Sequence, residues 1–171
     1  MFVRRDRNTR SSDIAFMGMM LAINQILLYF AGITSFNETI FMGLASVIIG
    51  IVIIEKGEKN GIVFYISSAM MAAVIMPNKL NALGYIFLLG LYTIVKYYIE
   101  KSGDLKKELI TKAVYFVIIS LAAAIAGSQL IYQGAPAIMI PVIIAVMAVY
   151  DYAATVMLTT YRNRFGKNMK R

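Results

Sequence analysis

The sequence predicts an all-α, polytopic membrane protein: a bundle of six transmembrane helices with both termini inside. Three observations lead there. Of the 171 residues, 60% are hydrophobic and only 15% charged, a balance that belongs to integral membrane proteins rather than soluble domains. The apolar residues gather into six runs, each near the length that crosses a hydrocarbon layer. Sixteen of the 17 Lys and Arg residues, counting Lys96 at the inner end of the fourth run, then fall on one side of those crossings, and only Lys79 falls on the other. Basic residues resist translocation, so the rich side is cytoplasmic and the chain is expected in the plasma membrane as a multi-pass protein. Six crossings use most of the chain, so 1–171 reads as a single domain.

The first span, 14–33, follows four arginines (Arg4, Arg5, Arg7, Arg10) and is entered through Ser11, Ser12 and Asp13, residue types that cap a helix N-terminus. A short outer link precedes the second span, 39–54, which is brief for a bilayer and should stand upright. Its inner turn carries Glu55, Lys56, Glu58 and Lys59 around Gly57. The third span, 61–76, stops at Pro77, and Pro77, Asn78 and Lys79 form an outer turn. The fourth, 80–98, runs into a polar inner hairpin from Glu100 to Lys112. Ser102, Gly103 and Asp104 break the helix there, and Leu105 to Thr111 reads as a short amphipathic stretch along the surface. The fifth span, 113–132, ends at an outer turn of Gln133, Gly134, Ala135 and Pro136. The sixth, 137–161, takes Pro141 in its first turn and is anchored by Arg162, Arg164 and Lys167. The first apolar run is too long for a signal-peptide core, so no cleaved leader is expected.

The inventory excludes several classes of function. Cysteine and histidine are absent, which removes thiolate chemistry and the commonest metal ligand and proton carrier. No phosphate-binding glycine motif, paired intramembrane carboxylates or activated nucleophile appears, so no catalytic residue, metal or cofactor is expected and the chain is not read as an enzyme. The net charge of +8 flanks apolar spans and faces anionic lipid headgroups, so nucleic acid is not the expected partner. Asn37, Glu38 and Thr39 form a glycosylation acceptor of the kind that recurs by chance.

Three groups of residues stand out within the spans. Asp151 is the one acidic residue well inside a span, and Lys96 reaches a similar depth on a span running the same way, so the two are expected to pair. That pair reads as a structural ion pair or as part of a proton path. Gly18 and Ala22 place small residues four apart on the first span among Met17, Met19 and Met20, a surface suited to a second helix. Asn24 and Gln25 at mid-span need buried hydrogen-bond partners. With Asn81, Tyr85, Gln129, Tyr132 and Gln133 they make the outer half rich in neutral polar groups, which suits either a ligand pocket or interface anchoring.

Six short spans, both ends inside, and the stretch Ala15, Phe16, Met17, Gly18, Met19, Met20, Leu21, Ala22 together resemble the substrate-binding S components of energy-coupling factor vitamin transporters. Those proteins carry an alanine-rich AxxxA motif on the first span; this chain has Gly18 and Ala22. The resemblance implies that Gly18 and Ala22 dock a transmembrane coupling protein and that ATPases in other subunits supply the energy. It also implies that Asn81, Tyr85, Gln129, Tyr132 and Gln133 bind a small water-soluble nutrient, a vitamin or its precursor. The size and span count also resemble the bacterial rod-shape membrane subunit, which implies a non-catalytic scaffold or assembly subunit. A third class, a stand-alone ion- or proton-coupled carrier, would use Asp151 and Lys96.

Overall fold

The computed structural model describes residues 7–34, 37–101, 105–130 and 136–165, and the side chains of 11–34, 37–101, 106–121 and 140–164. Every regular element among them is helical: α1 (Arg7–Ile33), α2 (Glu38–Lys56), α3 (Glu58–Ile75), α4 (Lys79–Leu83), a π-helical segment (Gly84–Gly90), α5 (Leu91–Glu100), α6 (Leu105–Leu130) and α7 (Pro136–Phe165). Among the described residues four stretches are long and apolar enough to cross a membrane: Ser11–Ile33, Glu38–Lys56, Lys79–Glu100 and Ile140–Arg164. They fit a membrane-embedded protein. At 19 residues α2 is roughly 28 Å long, close to the thickness of a hydrocarbon core.

The chain forms two compact units, Met1–Ile94 and Val95–Arg171. In the first, α2 is the central helix and packs on α1, α3 and the π segment. Its aliphatic side chains are the core: Ala45, Ile49 and Val52 are fully buried with Leu28 of α1 and Ala72 of α3. Gly57 alone joins α2 to α3, and its φ of +86° is backbone that glycine adopts without a side-chain clash. One turn later Gly61 lets the helices close up, because a Cβ there would lie 2.2 Å from Ile53 Cγ1. At the other end of α3, Lys79 Nζ donates to the carbonyls of Ala73 (2.9 Å) and Met76 (3.1 Å), satisfying acceptors that a helix C-terminus leaves free. In the second unit, α6 and α7 pack against each other.

Several boundaries differ from expectation, each for a local reason. Ser11, Ser12 and Asp13 lie inside α1 rather than capping it. Asp13 instead pairs with Lys56 at 2.7 Å, and Lys56 also lies 5.0 Å from the Phe16 ring centroid. Leu105 to Thr111 is the start of α6 and not a separate surface helix. Here Lys112 finds carboxylates on both sides of it, so the helix runs straight into the apolar stretch. Because α7 begins at Pro136, Pro141 sits in its second turn, where it removes one helical hydrogen bond. The fourth apolar run is one continuous helical stretch but contains the π segment, which its composition did not foretell.

Candidate functional site: a neutral polar cluster and an ionic network

Polar side chains converge at one place in each unit. In the first unit the residues are Asn24 and Gln25 of α1, Ser68 of α3 and Tyr85 of the π segment, none more than 6% exposed. Adjacent positions on a helix point about 100° apart, so Asn24 and Gln25 share one inward arc and reach α2 and α3 together. Asn24 Nδ2 donates to the Ala45 carbonyl (2.7 Å) and to the Tyr85 hydroxyl (3.2 Å). Ser68 Oγ donates to Asn24 Oδ1 at 2.6 Å. A serine hydroxyl has one proton, so in the 2.7 Å contact between Ser68 Oγ and the Tyr85 hydroxyl the tyrosine is the donor. Asn24, Tyr85 and Ser68 thus close a ring in which each donates to the next. Gln25 Nε2 donates to Asn24 Oδ1 (3.2 Å) and to the Ser68 carbonyl (3.3 Å). Its Oε1 is buried and accepts no hydrogen bond. A buried acceptor left unpaired costs about 1 to 3 kcal/mol, so the cluster holds an open valence for a donor.

The second unit concentrates charge instead. Lys96 of α5, 2% exposed, bonds to Asp151 Oδ1 of α7, to Glu100 one turn along α5 (2.7 Å) and to Thr155 Oγ1 (2.6 Å). The Asp151 carbonyl lies 3.3 Å from the same ammonium, so four acceptors share its three protons. Lys112 of α6 meets two of these acids and a third: Glu100 Oε1, the oxygen Lys96 also contacts, at 3.2 Å, the other carboxylate oxygen of Asp151, Oδ2, at 3.2 Å, and Glu108 at 2.7 Å. Asp151 is therefore held by two lysines, and Thr155 back-bonds to the Asp151 carbonyl at 2.7 Å. Among themselves the five ionised groups carry one surplus negative charge. Burial alone would lower the Lys112 pKa, but the hydrogen bond to Glu108, the Asp151 charge and Glu100 raise it above the ordinary lysine value.

Against this geometry the expected residues sort as follows. Lys96 and Asp151 meet as expected; Lys112, Glu100, Glu108 and Thr155, which complete their network, were not expected there. Tyr85 and Asn81 are engaged separately, Tyr85 in the ring and Asn81 with its amide on Glu38. Gln129 lies on α6, but its side chain is outside the described residues, as are Tyr132 and Gln133. Gly18 and Ala22 lie on the exposed stripe of α1 with Met19 and Ile26, and a Cβ added at Gly18 would meet nothing within 4 Å. Among the described residues no group of three or more acidic residues could hold a metal.

The chain matches no family model, no curated protein and no solved structure. What the two clusters can do therefore rests on their chemistry. The neutral one offers hydrogen bonds without charge, and the ionic one can fix helices or carry a proton.

Proposed function

We propose that this chain is the membrane-embedded capture subunit of an uptake system. In this reading it spans the membrane six times with both termini cytoplasmic. It binds a small water-soluble nutrient, a vitamin or its precursor, and delivers it with a transmembrane coupling protein and ATPases. The observation that carries the reading is the unpaired Gln25 Oε1 within a cluster drawn from α1, α3 and the π segment. Polar groups inside a membrane bundle are costly and tend to mark the path of a polar solute. Neutral groups with one acceptor open suit a ligand that brings a donor and must later leave. The exposed Gly18 and Ala22 support a docking face on α1, since small residues let a second helix approach closely.

The test is native mass spectrometry of the gently purified full chain and its Gln25→Leu variant. A vitamin-sized ligand retained by the wild type and lost from the variant supports capture. A ligand-free wild type that carries a membrane partner without ATPases rejects capture in favour of a scaffold.

The Lys96–Asp151 network favours a second reading, a stand-alone proton-coupled carrier. Liposomes containing only this chain would then take up solute with protons, and Asp151→Asn would abolish that uptake.

A further inference from the structure

The π segment Gly84–Gly90 is pinned at both of its ends. On the N-terminal side the Tyr85 hydroxyl is tied to Asn24 and Ser68. On the C-terminal side Leu89, Gly90, Tyr92 and Ile94 are buried. Between them one side chain touches both edges of the widened turn, Tyr65 of α3. Its hydroxyl donates to the Ile86 carbonyl at 3.0 Å, the same carbonyl that accepts the Leu91 N–H. Its ring lies over Gly90, where a Cβ would come within 2.9 Å of Tyr65 Cε2 and 3.1 Å of the Tyr85 carbonyl. A side chain at position 90 would therefore push on the tyrosine ring and on the backbone of the turn together.

A π segment is an α-helix carrying extra backbone in one turn. Passing to the α register changes the angle between the two flanking parts by about 100° and their separation by about 1.5 Å, one residue's worth of helix. Tyr85 and the buried residues after Gly90 cannot then both keep their seats. The later residues belong to a helix that continues to Glu100. Tyr85 is fully buried as well, but its hydroxyl is seated by neutral hydrogen bonds, which exchange for others at small net cost, so Tyr85 is the one to leave.

We propose that Gly84–Gly90 is a register switch, that Tyr65 holds it in the π form, and that its passage to the α form withdraws Tyr85 from Asn24 and Ser68 and opens the neutral cluster beside Gln25. This deepens the capture reading by naming the element that admits a ligand, and it rests on that reading only for what enters.

The experiment places 3-fluorotyrosine at position 85 of the full chain in lipid nanodiscs and follows its fluorine resonance. The wild type should give one dominant resonance. Tyr65→Phe deletes a single hydrogen bond, which changes a two-state ratio by about fivefold, so a minor resonance should grow by that factor while the thermal transition stays cooperative. Gly90→Ala should move the population the same way. An unchanged single resonance in a folded Tyr65→Phe chain overturns the proposal. So does loss of the cooperative transition in Tyr65→Phe, since the tyrosine would then hold the fold and not a register. If Gly90→Ala does not fold, Tyr65→Phe decides alone. A switch without ligand retention in the mass-spectrometric test leaves the register switch standing and removes the capture reading.

Discussion

The two units solve the problem of polar groups in an apolar interior in opposite ways. In the first, four neutral side chains form a ring and a spur and leave one acceptor unfilled. In the second, two ammonium groups and three carboxylates saturate one another. The difference concerns what each cluster can release. A neutral hydrogen bond exchanges for another at a net cost of about 1 kcal/mol. A buried charge stripped of its partner costs several. The neutral cluster is thus suited to rearrange, and the ionic one to hold α5, α6 and α7 in place.

The contrast can be broken most severely at Lys96. Lys96→Met leaves Asp151 and Glu100 short of a buried cation, and chemical unfolding should record a loss of about 3 kcal/mol. Adding Asp151→Leu should recover more than half of it; no recovery would mean that the pair is not the unit of stability. Ser68→Ala removes one member of the neutral ring and should cost about 1 to 2 kcal/mol in the same assay. A loss as large as that for Lys96→Met would erase the distinction between the clusters.

Asp13→Asn breaks an ion pair whose two side chains are about one-fifth exposed, so about 0.5 kcal/mol is expected, and added salt should shrink it further. The smallest effect is expected from alkaline pH. Folding raises the Lys112 pKa, so the stability it contributes is complete below the ordinary lysine value of 10.5 and is lost only as pH climbs through the higher folded value. Thermal unfolding between pH 7 and 9 should therefore be the same for Lys112→Met as for the wild type apart from a constant offset. An offset that changes with pH in that window would contradict the assigned partners.

The central pair of the ionic network was legible in the sequence. Helical rise places Lys96 and Asp151 at similar depth on parallel runs, and a carboxylate in an apolar stretch needs a cation. Glu100, Glu108 and Lys112 were missed because they read as a polar hairpin apart from the spans, whereas α6 begins at Leu105 and carries Glu108 and Lys112 inward. In the neutral cluster Asn24 and Gln25 announced themselves as buried amides. Ser68 read as a packing residue beside Ala72, and a serine that packs cannot be told in sequence from one that also donates. The π segment left no trace for a physical reason. The stretch Gly84–Gly90 is apolar on all sides apart from Tyr85, and a helix without a polar face has no phase from which an extra residue in one turn could be read.

The turn between α2 and α3 bears on how far this chain can diverge. Aliphatic residues in the α2 core can trade places with one another over many generations at small cost, provided volume is kept. Gly57, with its positive φ, and Gly61, with Ile53 against it, have no such freedom. A distant descendant could share almost none of the apolar residues and still keep two glycines four positions apart at this turn. That spacing, rather than overall similarity, is the mark by which kinship would outlast the drift of the rest.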